Sequence, residues 1–116
     1  MAGAHVTLSQ RDEFVIATLH GEIDLSNVHV ISDYLVEATS NDVTAVVLDL
    51  SSVTYLDSAG LKMLFDFARR LRPKRQNVSL VVPGGSLIGR IVKLSNISEI
   101  LPVAETVDEG IEKLKV

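Results

Sequence analysis

The chain has 116 residues, of which 47% are hydrophobic, 22% charged and 4% aromatic, and its formal net charge is −4. This balance predicts one globular domain over 1–116 with an aliphatic core, and it argues against a disordered chain. The negative charge and the scarcity of aromatic side chains disfavour direct binding of nucleic acid.

The sequence contains no cysteine, which excludes disulfides and zinc–thiolate sites. His5, His20 and His29 share no metal-ligand spacing, so we expect neither a metal nor a cofactor. No apolar run is long enough to span a bilayer, and the N-terminus lacks the regions of a signal peptide. The expectation is therefore a cytoplasmic protein without membrane contact.

Two β-like runs, residues 6–9 and 13–20, open the chain, and the short polar link between them predicts an antiparallel hairpin. A turn is predicted over 21–24, where Gly21 can adopt a backbone conformation that other residues resist. The next segment has the apolar spacing of a helix and is expected to end at 40–42. Asp24 or Ser26 is placed to cap that helix. Its apolar stripe consists of Val28, Ile31, Leu35 and Ala38.

The apolar run at 46–48, followed by Leu50, is typical of a strand covered on both faces in a parallel sheet. A polar turn over 51–56 is predicted next, leading to Asp57, which is placed to cap a helix. Ser58 falls on the first turn of that helix, at the edge of the sheet where ligands collect in open α/β folds. The helix is indicated by three-and-four spacing of Leu61, Leu64, Phe65, Ala68 and Leu71.

Pro73 is predicted to stop this helix. Basic residues surround it, and we interpret them as a solvated helix end, because cations are favoured there by the helix dipole. They are Arg69, Arg70, Arg72, Lys74 and Arg75. A strand over 77–82 and a turn over 83–85 follow, and then a short helix capped by Ser86. Its apolar side is predicted to carry Leu87, Ile88, Ile91 and Val92.

Asn96 is predicted to end the third helix in a left-handed conformation. The following strand is predicted over 100–103, and Pro102 places it at a sheet edge or start. Thr106 begins a last helix, because Glu109 stands three residues later in a capping-box pattern. The apolar stripe of that helix consists of Val107, Ile111 and Leu114.

The order of elements, ββαβαβαβα, predicts an α/β domain with about four helices and a mostly parallel sheet of four to five strands. The N-terminal strand is expected to be antiparallel and at an edge. A polar rim at the carboxyl ends of the strands should collect three segments, 24–26, 57–60 and 84–86.

Three segments resemble the signature of STAS domains, and within that family the anti-anti-sigma factors, which are bacterial antagonists of anti-sigma factors. Leu48-Asp49-Leu50 and the later Leu56-Asp57-Ser58-Ala59-Gly60-Leu61 match an apolar strand that runs into an Asp-Ser-small-Gly-Leu turn. Gly21-Glu22-Ile23-Asp24 is similar to the family's Gly-Glu-Leu-Asp. Leu94-Ser95-Asn96-Ile97 is similar to a Ser-Gly-Leu turn, with Asn96 in place of the usual Gly. The resemblance covers nearly the whole chain.

This resemblance implies a partner-switching phosphoprotein of the bacterial stress response. It would bind an anti-sigma factor with serine kinase activity, release it when Ser58 is phosphorylated, and so control sigma-factor-dependent transcription. Whether a phosphatase resets Ser58 stays open, and a monomer or weak dimer is expected. The implied partner-binding residues are Asp24, Ser26, Asp57, Ser58, Ala59 and Gly60.

Several alternatives stay open. Asp24 either contacts the partner and orients Ser58 or caps the first helix, and Ser26 fits a cap better than a contact. The chain could instead be a STAS subunit of a stress-signalling scaffold or of a membrane transporter complex. An enzyme with Ser58 as nucleophile, His20 as base and Asp24 as the residue that orients the base is disfavoured, because the Gly-x-Ser-x-Gly elbow is missing.

The sequence identifies no particular sigma factor or regulon. It also leaves open whether Ser51, Ser52 or Thr54 is modified and whether a nucleotide binds near Gly84–Ser86, which only loosely resembles a phosphate-binding nest.

Overall fold

A computed structural model describes residues 3–39, 43–74 and 76–115 of the chain. In these ranges a five-stranded sheet carries four helices. The strands are β1 (Ala4–Arg11), β2 (Phe14–Ile23), β3 (Ala45–Leu56), β4 (Asn77–Val81) and β5 (Val103–Ala104). The helices are α1 (Val28–Ala38), α2 (Ser58–Leu71), α3 (Leu87–Leu94) and α4 (Val107–Leu114), and single 3-10 turns follow α2 and α3.

The strands lie in the order β1-β2-β3-β4-β5. Strands β1 and β2 pair antiparallel, and every later pair is parallel. Each parallel pair is joined by a helix, as crossover connections require. The predicted α/β class, the number of helices and the antiparallel N-terminal edge strand are all confirmed.

Helices cover both faces of the sheet. Val46 and Leu48 of β3 pack into the larger apolar cluster, together with α1, α2 and α3. Val47, between them, belongs to a second cluster formed with Ile111 of α4 on the opposite face. Because successive strand residues point to opposite faces, an unbroken apolar run is what a strand covered on both sides requires. This explains residues 46–48.

The strands next to the helices α1 and α2 are longer than the sequence predicts. Residues 21–23 belong to β2 and residues 51–56 to β3, so the two predicted turns are wrong. The pairing of β2 with β3 is irregular between Thr18 and His20 and again between Gly21 and Glu22. These irregularities shift the side chains, so that Leu50, Val53 and Leu56 are all buried in the same cluster. These three residues are spaced three apart, whereas a regular strand alternates buried and exposed residues with a period of two. The alternation that identifies a strand in the sequence is therefore missing here.

Gly21 has the conformational role predicted for it, but within a strand. Its φ of 90° lies in the region that favours glycine, and a Cβ at this position would lie 2.0 Å from the carbonyl oxygen of Gly3. The close approach of β1 to β2 therefore depends on this glycine.

The predicted rim divides into two levels. Strand β4 ends at Val81, which pairs with Asp49, whereas β3 continues for seven more residues to Leu56. At the usual rise per strand residue this is roughly 20 Å. Segment 84–86 therefore does not share the edge that residues 24–26 and 57–60 occupy, and that part of the rim prediction is wrong.

Most of the predicted helix ends are confirmed. Ser86 and Thr106 accept hydrogen bonds from backbone N–H groups in the first turns of α3 and α4. Helix α2 ends at Leu71, two residues before Pro73. The three basic residues Arg69, Arg70 and Arg72 are exposed at this end, whereas Arg75 and the predicted helix end at 40–42 lie outside the described residues.

The predicted burial of Leu87 and the predicted bounds of the last strand are wrong. Leu87 is 66% exposed, because the short helix α3 buries only a narrow stripe containing Ile88 and Val92. The last strand is two residues long, Val103–Ala104, and starts immediately after Pro102, whereas a strand over 100–103 was predicted. Its position at the sheet edge agrees with the prediction.

Asn96 supplies a test of the left-handed helix end. Its φ of 62° is left-handed and its side chain forms no capping hydrogen bond. Asn96→Ala should lower the free energy of unfolding by about 1 kcal/mol, since Asn tolerates a left-handed backbone conformation better than Ala does. Asn96→Gly should leave it unchanged or raise it. Urea unfolding of the three proteins measures this, and equal stability of the Ala and Gly variants would contradict it.

Candidate functional site

The candidate site lies where β2 and β3 end side by side. Their last residues, Ile23 and Leu56, are paired in the sheet, and Asp24 and Asp57 follow them directly. The backbone N–H of Asp57 donates to the carbonyl oxygen of Ile23 at 3.3 Å. The loop before α1 and the start of α2 are therefore neighbours, although 32 residues separate Leu25 from Asp57 in the chain.

The carboxylate of Asp57 joins these two segments. Oδ1 accepts a hydrogen bond from the backbone N–H of Gly60 at 2.9 Å, and this confirms Asp57 as the cap of α2. Oδ2 accepts from the backbone N–H of Leu25 at 3.1 Å. One side chain therefore satisfies an N–H group at a helix start and another in a neighbouring loop.

Asp24 organises its own loop. Its Oδ1 accepts from the backbone N–H of Ser26 at 2.9 Å and also from the Ser26 hydroxyl. The backbone carbonyl of Asp24 accepts from the N–H groups of Asn27 and Val28, each at 3.0 Å. Neither Asp24 nor Ser26 occupies the cap position of α1, so the prediction that one of them caps this helix is wrong.

Asn27 holds that cap position and was missed. Its Oδ1 accepts from the backbone N–H of Asp24 at 3.0 Å, and its Nδ2 donates to the carbonyl oxygen of Glu22 at 2.8 Å. The sequence contains a signal for this position, because Asn27 directly precedes the apolar stripe that begins at Val28, but the Asn27 side chain forms no capping hydrogen bond to α1. The side chain fastens the loop back onto the end of β2.

Gly60 lies beneath this surface. It is buried, and a Cβ there would lie 2.6 Å from Cδ1 of Leu56 and 3.1 Å from the carbonyl oxygen of Ile23. The missing side chain lets the first turn of α2 pack onto the ends of both strands. A larger residue at position 60 would therefore crowd this turn.

Ser58, Ala59 and Leu25 form the outward side of the site. Ser58 is exposed on the first turn of α2, and Ala59 is half-buried. Leu25 is 71% exposed, although its backbone is held by Asp57. Leu25 lies in the predicted rim segment 24–26, but no sequence pattern indicated an exposed leucine on a fixed backbone.

A shallow cavity of about 200 Å³ continues from this surface between α1 and α2. Lys62, one turn after Ser58, lies on its wall and pairs with Asp66 at 2.6 Å. The cavity is lined by Leu25, Val28, His29, Ser32, Ala59, Lys62, Met63 and Asp66. The arrangement is an apolar depression bordered by charges, beside an exposed hydroxyl.

The groups considered for a hydrolase are engaged elsewhere. His20 Nε2 forms a hydrogen bond with Thr7 Oγ1 at 3.0 Å, and its ring stacks on His5 with centroids 4.3 Å apart. The hydrogen bonds recorded for Asp24 remain within its own loop and with Asn27. Neither residue is hydrogen-bonded to Ser58 in the described structure, so the geometry of a catalytic triad is not formed.

Across the described ranges, no group of three or more His, Asp or Glu side chains is arranged to hold a metal ion. In the same ranges, none of the helices combines the length and the hydropathy needed to cross a bilayer.

Comparison with known proteins gives consistent matches along the chain. The family model of the STAS domain matches residues 5–110. The anti-sigma-F factor antagonist RsfB of Mycobacterium tuberculosis is 28% identical over 107 residues, which cover 91% of this chain and 85% of that protein. The putative anti-sigma factor antagonist BtrV of Bordetella bronchiseptica is 27% identical over 101 residues, with 87% and 86% covered.

Solved structures have the same fold. An anti-sigma factor antagonist from Mycobacterium paratuberculosis superposes with a TM-score of 0.85 at 24% identity, over 95% of this chain and 92% of that one. The anti-sigma factor antagonist SpoIIAA in its unphosphorylated form gives 0.74 at 21% identity, over 95% and 96%. SpoIIAA of Bacillus in the phosphorylated form gives 0.69 at 21% identity, over 96% and 100%.

The bridging role of Asp57 can be measured. Asp57→Ala removes both hydrogen bonds and should lower the free energy of unfolding by about 1–3 kcal/mol, because one helix cap and one loop contact are lost. Asp57→Asn keeps one acceptor oxygen and should fall between the parent and the Ala variant. Urea unfolding gives the order.

Amide hydrogen exchange supplies the local readout. In Asp57→Ala the Leu25 amide should exchange faster relative to the core amide of Leu48. Unchanged exchange at Leu25 in a destabilised Asp57→Ala protein would contradict the hydrogen bond from Leu25 to Asp57. It would not contradict the role of Asp57 as the cap of α2.

Proposed function

This chain belongs to the STAS domain family, and on that premise we propose that it is an anti-sigma factor antagonist whose binding is switched by phosphorylation of Ser58. The family model covers most of the chain, and the two relatives named as anti-sigma factor antagonists align over 85% and 86% of their own length. The protein would act by binding in the cytoplasm, not by catalysis. Its partner would be an anti-sigma factor with serine kinase activity, and release of that partner would control sigma-factor-dependent transcription.

The exposed hydroxyl of Ser58 is the observation that carries this proposal. It lies on the first turn of α2, next to an exposed apolar residue, Leu25, and the cavity between α1 and α2. A kinase can reach a hydroxyl in this position without opening the fold. A partner that covers the cavity would also cover Ser58, so modification and binding would use the same surface.

Electrostatics supply the switch. A phosphoryl group adds about −1.5 to −2 charge near neutral pH. The start of α2 favours that charge through its dipole, but the carboxylate of Asp57 is adjacent and held by two hydrogen bonds. Asp57 therefore cannot turn away without releasing both segments. A partner surface complementary to neutral Ser58 would meet concentrated negative charge, and binding would weaken.

The site residues then divide by role. Ser58, Ala59 and Leu25 would touch the partner, and Asp57 would hold them in place. Gly60 is buried and would act from beneath by letting α2 approach the sheet. Asp24 and Ser26, linked to each other, would set the shape of the loop that presents Leu25. A phosphatase that removes the phosphoryl group would return the protein to its binding state.

The first experiment concerns phosphorylation. Incubation with ATP and each anti-sigma kinase from the same genome should add one phosphoryl group, which intact-mass and peptide mass spectrometry would locate on Ser58. Ser58→Ala should remain unmodified. Peptides that place the group on Ser51, Ser52 or Thr54 would contradict the assignment of Ser58 while preserving a phosphorylated antagonist.

The second experiment concerns binding to that anti-sigma factor, measured by calorimetry. Ser58→Ala should bind as the parent does, whereas Ser58→Glu should bind about tenfold more weakly or worse, because it places a like charge in the interface. Ser98→Glu is the matched control, since Ser98 is an exposed serine after α3, away from the site. Binding that is equal in all four proteins would favour a STAS subunit of a scaffold or transporter complex instead.

A further inference from the structure

The two edges of the sheet differ in how they are protected. Strand β5 has only two residues and follows Pro102, so it offers little backbone to another chain. Strand β1 has eight residues, Ala4–Arg11, and pairs with β2 alone in the described structure. Its sequence, AHVTLSQR, contains neither proline nor lysine, the residues that usually block an exposed edge. An edge of this length without such protection is suited to pairing.

The register of the hairpin shows which backbone groups face outward. The carbonyl oxygen of Gly3 accepts from the N–H of Glu22 at 3.4 Å, and Ala4 is opposite Gly21. In an antiparallel pair, alternate residues bond to the neighbouring strand. Odd-numbered residues of β1 therefore bond to β2, and even-numbered residues direct their N–H and C=O groups to the open edge. The outward residues are Ala4, Val6, Leu8 and Gln10.

We propose that this edge pairs with β1 of a second copy of the chain, antiparallel, about a two-fold axis at Thr7. In this register every outward residue finds an outward partner, since Ala4 lies opposite Gln10 of the second copy and Val6 lies opposite Leu8 of the second copy. A shift by two residues in either direction leaves outward groups of β1 unpaired. The five-stranded sheets would join into one sheet of ten strands.

The side chains are self-complementary in the same register. Leu8 is 41% exposed and would be covered by Val6 of the second copy, on the face where Val6 already packs against the larger core cluster. On the other face Thr7 would meet Thr7, and His5 would meet Ser9. These are favourable cross-strand combinations of apolar with apolar and polar with polar side chains.

Charge does not oppose this pairing. Arg11 is the one Asp, Glu, Lys or Arg side chain of β1, and it lies at the end of the strand, beyond the four outward residues. It forms an ion pair with Asp108 of α4 at 2.6 Å. Like charges would therefore not face each other across the two-fold axis. A self-complementary neutral strand favours a second copy over a charged peptide as the occupant.

The interface is expected to be weak. One strand pair buries less surface than the interfaces of stable dimers, so association should depend on concentration over roughly 10 µM to 1 mM. Such a dimer is compatible with a protein that is mostly monomeric at low concentration.

Cysteine cross-linking tests the register, and the absence of cysteine from the sequence makes the readout unambiguous. Thr7→Cys places a thiol on the two-fold axis, at a cross-strand pair whose Cα atoms should be about 4.5 Å apart. This separation suits a disulfide. Mild oxidation should convert this variant to a covalent dimer at least tenfold faster than Ser9→Cys. Ser9 is also exposed, but its two copies would be about 13 Å apart.

An equal mixture of His5→Cys and Ser9→Cys adds a positive control, because these positions should face each other and form the mixed disulfide. Equal rates for Thr7→Cys and Ser9→Cys, or faster linkage of Ser9→Cys, would overturn the proposal.

Sedimentation velocity supplies a measurement without thiols. The parent should show a sedimentation coefficient that rises with concentration, and Leu8→Lys should remain monomeric throughout. Leu94→Lys is the matched control, since Leu94 is 77% exposed on α3 and distant in the fold from β1, and it should behave as the parent does. Dimerisation lost in Leu94→Lys but kept in Leu8→Lys would assign the interface to α3 and overturn the edge pairing. A parent protein that stays monomeric at the highest concentration would also overturn it.

Discussion

The carboxylate of Asp57 is the interaction on which the candidate site depends. Its two oxygens bind N–H groups from segments that are far apart in the chain, the first turn of α2 and the loop before α1. A helix start has free N–H groups that need acceptors, and a carboxylate is well suited to supply one because of the helix dipole. The second oxygen then determines where Leu25 is presented. A single side chain thus fixes the relative positions of Ser58 and the exposed leucine beside it.

The length of β3 determines where the Asp57 carboxylate and its two hydrogen bonds lie in the fold. Because β3 continues past its pairing with β4, the ends of β2 and β3 extend beyond the rest of the sheet, and the turn at 83–86 lies at a lower level. The irregular register between β2 and β3 allows this extension to bury Val53 and Leu56 on the same face as Leu50. Gly60 completes the packing, since the start of α2 can rest on both strand ends only without a side chain there. The extended pairing of β2 with β3 therefore supports the exposed surface formed by residues 24–26 and 57–60.

The same features explain what could be predicted from the sequence. Three features could be predicted because they depend on regular local patterns. They are the order of elements, the strand covered on both faces and the Asp57 cap. The turns at 21–24 and 51–56 were wrong because shifted register destroys the alternation by which a strand is recognised. Asp24, Ser26 and Asn27 are all preferred cap residues, so the sequence does not choose among them. In the structure the side chain of Asn27 bonds back to Asp24 and Glu22 and makes no capping hydrogen bond to α1. The exposure of Leu25 and the cavity beside it arise from tertiary packing, which local patterns do not contain.

The direction of the strands relates the two proposed surfaces. Strand β2 ends at the candidate site, and the start of β1 lies beside that end, because Ala4 is opposite Gly21. Antiparallel pairing of two β1 strands would reverse one copy with respect to the other. The two sites would then lie at opposite ends of the joined sheet, and each could bind its own partner without steric conflict. Self-association through β1 and the switch at Ser58 are therefore compatible, since the first uses backbone groups of an edge and the second uses the charge on a helix start.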